Sequence, residues 1–220
     1  MFSWLEKNPF FFAVAVFLVI AYAGLVEIVP DFADRARPIE GKKPYTVLEL
    51  AGRHVYIKDS CNACHSQLIR PFKSETDRYG PYSKSGEFAY DRPFLWGSKR
   101  TGPDLARVGN YRTTDWHEAH MKDPTIVEGS IMPAYHHIFK NVADIDTAYA
   151  EAVTIKKVFN VPYDQPNMPT LGDKATAKAK VMEEAKVIVD QMKDPEVKAA
   201  FERGEIKEIV ALIAYLNSLK

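Results

Sequence analysis

Cysteine is scarce in this sequence, since Cys61 and Cys64 are the only two among 220 residues. A structural zinc site would need further soft ligands, which no other cysteine can provide. An excess of charge of one sign is also lacking, because 29 basic residues balance 29 acidic ones. This balance gives no indication of nucleic-acid binding or of a disordered acidic tail. Internal repeats and low-complexity segments are missing as well.

The two cysteines form the motif Cys61-Asn62-Ala63-Cys64-His65. Cys-x-x-Cys-His is the attachment motif of a c-type haem, because each thiol can form a thioether with one haem vinyl group. His65 then lies under the iron as the proximal ligand. A redox dithiol is the alternative, but a thioredoxin-like motif does not require the histidine. The motif therefore predicts one covalently bound haem c.

A long apolar run lies near the N-terminus. Residues 10–26 carry no charge, and the run continues past Glu27 to Pro30. A helix of about 20 apolar residues is long enough to span a bilayer. Trp4 before the run and Tyr22 near its far end are typical of the two membrane interfaces. We expect a membrane anchor over residues 1–29.

A cleaved signal peptide is the alternative for this run, because Ala21-Tyr22-Ala23 resembles a small-residue cleavage site. Its basic region would consist of Lys7 alone, offset by Glu6, so we expect that the anchor is not cleaved. Three prolines and mixed charge over residues 30–45 predict a linker that leaves the membrane.

The flanking charges and the haem motif predict opposite orientations. Basic residues are concentrated after the anchor, at Arg35, Arg37, Lys42 and Lys43. The positive-inside rule would leave the large domain in the cytoplasm, although large domains can translocate despite flanking charge. Covalent haem attachment takes place outside the cytoplasmic membrane, as a resemblance to c-type cytochromes implies. We expect a haem domain in the periplasm, held by a single pass through a bacterial inner membrane.

Residues 46–220 are predicted to form one mainly α-helical haem domain. Thr46 and Glu49 form a capping box that begins a helix leading into the cysteine motif. Apolar residues at helical spacing predict two further helices, over 174–193 and 206–219. The last helix is apolar over so much of its surface that we expect it to be buried on more than one side.

Two segments of this domain are less regular. Residues 71–96 are rich in aromatic residues, proline and charge, lack a clear period, and predict a long ordered loop. Residues 140–205 form an extra helical segment, within which Pro195 is expected to end the helix over 174–193. The role of this segment is not apparent from its sequence.

Electron-transfer haems usually carry a second axial ligand, and a thioether sulfur raises the reduction potential. Met132-Pro133 is the favoured candidate, because the proline stiffens the loop that presents the sulfur. Met168 also precedes a proline and remains an alternative, as does Met121. Either His136 or His137 could replace Met132, although a polar role near a propionate fits them better.

The remaining histidines are weaker candidates. His117 and His120 lie three residues apart on a predicted helix and could face one metal, but no third ligand is near in sequence. We expect both to be surface residues. His54 lies on the helix before the haem motif and is expected to face solvent or the core.

The chain resembles class I c-type cytochromes. That pattern combines a helix ending in Cys-x-x-Cys-His, a Gly-Pro-x-Leu step at Gly102-Pro103-Asp104-Leu105, a Met-Pro loop and a C-terminal helix that crosses the first. The resemblance implies that the Pro103 carbonyl accepts a hydrogen bond from His65 and so fixes its tautomer. It implies a fold of one transmembrane helix and a class I cytochrome c-like domain with long loop insertions.

The likeness is closest to the mono-haem subunits of cbb3-type cytochrome c oxidases, the CcoO/FixO family. It rests on the haem motif, Thr101-Gly102-Pro103-Asp104-Leu105 and the stretch from Tyr90 to Arg100. The resemblance implies an electron-transfer subunit that is not catalytic by itself. A di-haem subunit or another c-type cytochrome would supply electrons, and a catalytic subunit with b haems and copper would reduce oxygen to water.

The aromatic segment 71–96 exceeds what folding around one haem requires, and we interpret it as a docking surface. By charge and placement, Arg70, Arg92, Arg100 and Trp96 are candidates to hold the haem propionates. A free membrane-anchored cytochrome c that shuttles between complexes is the alternative function, but a shuttle needs only a small, weak contact. A haem enzyme or gas sensor with an open sixth position is a third, which Met132-Pro133 disfavours.

Overall fold

The structure is a computed structural model that describes residues 3–33 and 37–220. Residues 1–2 and 34–36 lie outside these ranges, and Arg35, named above for its charge, is among them. The chain divides into two compact units, Met1–Ala36 and Arg37–Lys220. The described residues form nine α-helices and no β-strand, which confirms the predicted mainly α-helical fold.

The first unit consists of two helices, α1 (Ser3–Lys7) and α2 (Pro9–Ala33). Within α2, the 22 residues Pro9–Pro30 have a mean hydropathy of 2.5 and are not buried by other parts of the chain. At 1.5 Å per residue this stretch is about 33 Å long, which matches the apolar thickness of a bilayer. The predicted apolar helix of membrane-spanning length is therefore confirmed. It continues to Ala33, past the expected end at residue 29.

The second unit is organised around two crossing helices, α3 (Val47–Lys58) and α9 (Glu208–Ser218). The capping box predicted for α3 is present, because the Glu49 backbone N–H donates to Thr46 Oγ1 at 3.2 Å and Thr46 N–H donates to the Glu49 carboxylate at 2.8 Å. Every residue of α9 from Glu208 to Leu216 is buried. The expectation that this helix is buried on more than one side is confirmed.

Three helices build the extra segment 140–205: α6 (Ile145–Val158), α7 (Lys174–Gln191) and α8 (Pro195–Glu202). α6 packs against α3, α7 packs against both α3 and α9, and α8 packs against α7. The prediction for Pro195 was wrong. α7 ends before it, at Gln191, and Pro195 is the first residue of α8, where a missing N–H costs nothing. Asp194 caps that helix by accepting from the backbone N–H groups of Glu196 and Val197.

The aromatic segment 71–96 is not a continuous loop. It contains the helix α4 (Lys73–Tyr79) and a 3₁₀ turn over Ser85–Phe88. The first residue before α4, Phe72, gives no side-chain cap, and seven residues are too few to show a clear period. Tertiary bonds to Glu75 stabilise α4, so the sequence alone could not reveal it. The remaining helix, α5 (Thr114–Lys122), lies between the Gly-Pro step and the Met-Pro loop along the chain.

Candidate haem site

The cysteine motif follows directly after α3. Ser60 adopts a left-handed backbone conformation (φ 56°) that ends the helix and begins a 3₁₀ turn over Cys61–Ala63. The backbone N–H of His65 donates to the Cys61 carbonyl at 2.9 Å, which closes the motif into a compact loop. Both cysteines are free thiols; Cys61 is buried and Cys64 is exposed. Burial and the nearby Asp59 carboxylate raise the pKa of Cys61 to about 12.

The His65 ring is oriented by the Gly-Pro step. Its Nδ1 lies 2.8 Å from the Pro103 carbonyl oxygen, and because a carbonyl can only accept, Nδ1 carries the proton. This tautomer leaves Nε2 with its lone pair for a metal. Burial lowers the pKa of His65, with the Pro103 bond acting in the opposite direction, so the ring is neutral as a ligand must be.

Gly102 brings the step close enough to make that bond. Its N–H donates to the Cys64 carbonyl at 3.0 Å, and a β-carbon on Gly102 would lie 2.7 Å from Nδ1 of His65. Only glycine permits the backbone to pass this near to the ring. Two free thiols and a neutral imidazole with its Nε2 lone pair available are together the donor set that a covalently bound haem requires.

Asp104 joins the haem motif to the Gly-Pro step. Its buried carboxylate accepts from Ser66 Oγ at 2.6 Å, from the Leu68 N–H at 2.9 Å and from the Ala106 N–H at 2.8 Å. The sequence had identified Asp104 only as the variable position of the Gly-Pro-x-Leu step. A charged residue between a proline and a leucine was the one available sign of a buried polar anchor.

Arg100 and Arg70, both predicted to hold haem propionates, donate hydrogen bonds to oxygen atoms of the protein. Arg100 donates to Ser66 Oγ at 2.7 Å, to the Leu68 carbonyl at 2.8 Å and to Glu75 at 2.7 Å. Arg70 donates to the same Glu75 carboxylate. These bonds hold the pKa of Glu75 at about 2, with the Arg100 bond as the largest cause. The contacts give both arginines a structural explanation and lend their propionate role no support.

Trp96 lies beside the haem motif. Its carbonyl oxygen accepts from the Gln67 N–H at 2.9 Å, and its ring is 37% exposed and stacks on Phe94 at 4.5 Å with 5° between the planes. The loop that carries this pair is held in place by the buried Arg53, which donates to the carbonyls of Arg92 and Pro93. A contact of Trp96 with a propionate stays a prediction.

The Met132 loop is bonded to α5 and to the residue two positions before the haem motif. The Tyr135 N–H donates to the Met121 carbonyl at 2.9 Å, and His137 Nε2 lies 2.9 Å from the Asp59 carboxylate, two residues before Cys61. Met132 itself is half-buried. The structure therefore brings the favoured methionine loop to the end of α3 that carries the motif.

The alternative methionines lie elsewhere. Met168 belongs to a segment anchored by Tyr163, whose hydroxyl donates to the Tyr45 carbonyl at 2.7 Å. That is the opposite end of α3, and twelve helical residues separate the two ends by about 18 Å. Met121 is buried on α5. Among the described residues, no cluster of three or more histidine, cysteine or acidic side chains could hold a further metal.

The expectation of surface histidines on α5 was wrong for His117, which is buried and only 2% exposed. Its neighbour on the same face, His120, is half-buried and stacks on Trp116 at 4.5 Å. Their sequence context, without an apolar period, did not reveal that this short helix turns its histidines inward. His54 is half-buried and bonds to Glu151.

A family model described as cytochrome c oxidase, mono-heme subunit/FixO, matches residues 2–220, which is nearly the whole chain. No curated protein matches the sequence.

Proposed function

Because the chain belongs to the family of mono-haem cytochrome c oxidase subunits, we propose that it relays electrons to the catalytic subunit of a cbb3-type oxidase. Its donor is a c-type cytochrome, for which the di-haem subunit of the complex is the leading candidate. The catalytic subunit carries b haems and copper and reduces oxygen to water. The chain itself contributes electron transfer and no catalytic residue.

Cys61 and Cys64 would hold the haem c of this proposal through thioethers, and His65 and Met132 would be its iron ligands. The observation that carries it is the 2.8 Å bond between Nδ1 of His65 and the Pro103 carbonyl. Because this bond places the proton on Nδ1, the lone pair of Nε2 is available to bind iron. The bound haem supplies a single iron that takes up and releases one electron.

The residues around the motif hold these ligands in place. Pro103 fixes the tautomer and the orientation of His65, and Gly102 leaves room for its ring. Asp104 joins the Gly-Pro step to the residues directly after the motif through two hydrogen bonds, from Ser66 and Leu68. A thioether ligand from Met132 would favour the reduced state, which suits a carrier that feeds an oxidase.

The proposed arrangement has a membrane anchor over 1–29, a linker over 30–45 and a periplasmic haem domain over 46–220. A c-type haem supports the periplasmic orientation, despite the basic flank at Arg37, Lys42 and Lys43. The apolar surface of α2 supports the anchor, since a helix without protein cover needs lipid around it.

The aromatic segment 71–96 is the proposed docking surface for the catalytic subunit. Exposed rings lie along it, and arginines stack on two of them: Arg70 over Phe72 at 5.5 Å and Arg92 over Phe94 at 5.8 Å. Aromatic residues and arginine are the residues that dominate interface energies. Four large aromatic side chains are exposed here: Phe72, Tyr82, Phe94 and Trp96.

Co-purification tests this proposal. The tagged full chain is isolated from membranes in mild detergent, and its covalent haem, b haem and copper are quantified. A fixed ratio of all three supports the oxidase role, and a chain that comes alone with one c haem supports the free cytochrome instead.

A Phe94→Ala/Trp96→Ala variant should lose the b haem and copper while it keeps its own haem. Tyr111→Ala, which removes a ring that is 51% exposed outside the segment, is the matched control.

A further inference from the structure

His120 lies on the part of α5 that bonds to the loop of Met132, one of the two proposed iron ligands. It is followed directly by Met121, whose carbonyl accepts from the Tyr135 N–H at 2.9 Å, three residues beyond Met132. Helix α5 is thereby fastened to the Met132 loop at the turn that carries the His120 ring. The position of that ring is set by the same bond that positions the loop.

Stacking against a neighbouring ring fixes the orientation of the His120 imidazole. Trp116, one turn earlier on α5, stacks on His120 with ring centroids 4.5 Å apart and 19° between the planes. The Arg112 guanidinium covers Trp116 at 4.1 Å from its centroid. Two flat groups, the Trp116 ring and the Arg112 guanidinium, are therefore stacked in turn on one face of the imidazole.

The imidazole carries an unexplained polar atom. Nδ1 of His120 is enclosed, and within the described ranges 3–33 and 37–220 it has no hydrogen-bonding partner. A polar atom that is enclosed without a partner is destabilising, so native proteins rarely contain one without a reason. Burial is the largest cause that lowers the pKa of His120, and the nearby His65 adds to it. The ring is thus neutral and offers one N–H donor.

We propose that His120 contacts the bound haem group and tunes its reduction potential, by donating a hydrogen bond from Nδ1 to an acceptor in the haem site. This inference rests on the proposed function, because it requires the haem and the Met132 ligand. The acceptor is the Met132 sulfur or a haem carboxylate. A hydrogen bond to either acceptor withdraws electron density from the iron and stabilises the reduced state.

The test is a redox titration of the full chain in detergent, with covalent haem quantified in the same samples. His120→Leu removes the donor, whereas His120→Asn retains an N–H close to the position of Nδ1. We expect His120→Leu to shift the oxidation equilibrium at least threefold toward the ferric state, a fall of about 28 mV at 59 mV per tenfold change. His120→Asn should recover more than half of that fall. His54→Leu, at another half-buried histidine, is the control and should leave the potential unchanged.

The same substitution in a Met132→His background identifies the acceptor. If the effect of His120→Leu disappears there, the acceptor is the methionine sulfur, and if it persists, the acceptor is a haem carboxylate. An unchanged potential in His120→Leu overturns the inference, and so does an equal fall in His120→Asn, since packing against Trp116 would then explain it. Loss of haem from both His120 variants overturns it too, because His120 would be a folding residue. Absence of covalent haem from the unaltered chain would instead refute the proposed function.

Discussion

The backbone of Gly52 on α3 lies directly against the backbone of Ala211 on α9. A β-carbon on Gly52 would lie 2.5 Å from the Ala211 carbonyl carbon and 2.9 Å from the β-carbon of Tyr215. Glycine therefore sets the distance at which the two helices cross. This crossing holds the end of α3, and with it the haem motif, in a fixed place.

Gly52→Ala should destabilise the haem domain by about 3 kcal/mol, at the upper end of the cost of overpacking, because the new methyl group meets backbone that cannot rotate away. The free energy of unfolding in denaturant measures this effect. Ala150→Val adds a larger group at an exposed position of α6 and should change stability by no more than about 0.5 kcal/mol. Equal stability of Gly52→Ala and the unaltered protein would show that the helices can separate without cost.

Gly102→Ala should disturb the ligand histidine rather than the fold. The added β-carbon would stand 2.7 Å from Nδ1 of His65 and 2.8 Å from Nε2, so the ring must leave its bond to Pro103. We expect about tenfold or greater loss of haem-bearing protein, the range for residues that orient metal ligands. Haem staining against total protein gives the measurement, with the exposed Lys99→Ala as control. Full haem content and an unchanged spectrum would mean that Pro103 does not orient His65.

Met132→Ala should leave the haem covalently attached but lower its potential. Loss of the thioether should shift the oxidation equilibrium at least tenfold, about 59 mV for one electron, toward the ferric state. The sulfur-to-iron absorption should vanish in the same sample. Met168→Ala, at the far end of α3, is the matched control and should change neither. If Met132→Ala leaves both properties intact, Met168 becomes the better assignment.

Glu75→Gln should destabilise the domain by about 2 kcal/mol at neutral pH, as expected when hydrogen bonds to a charged group are lost. The folded pKa of Glu75 is held at about 2, below its unfolded value of about 4.3. The stabilisation is therefore complete above about pH 5 and is lost as the pH falls toward 2. Unfolding measured across this range should show the two proteins converging in acid. Asp77→Asn, in an exposed pair with Lys73, should have almost no effect, and a constant difference at all pH values would exclude Glu75 as the titrating group.

Local chemistry made much of the fold predictable. The Thr46–Glu49 capping box fixes where α3 begins, and α9 was recognisable because its apolar residues surround most of the helix. The apolar helix at the N-terminus needed only its length and its lack of charge. Each of these features depends on residues that are close together in the sequence, so a short stretch of sequence is enough to predict it.

Long-range bonds decided what the sequence could not reveal. The short helix α4 depends on Glu75, whose partners Arg70 and Arg100 lie outside it. A contact of either arginine with a propionate stays a prediction. His117 and His120 were expected at the surface, because nothing in their surroundings along the chain indicates which side of α5 is covered.

The sequence by itself determined the haem motif, the Gly-Pro step, the Met-Pro loop and the apolar N-terminal helix, because each is a short pattern whose chemistry is local. Only the tertiary structure decided which of the polar residues between them have protein partners. Asp104 and Arg100 are satisfied within the protein, whereas Nδ1 of His120 is enclosed without a hydrogen-bonding partner among the described residues. Burial and pairing are relations between distant parts of the chain, and they exist only once the chain has folded.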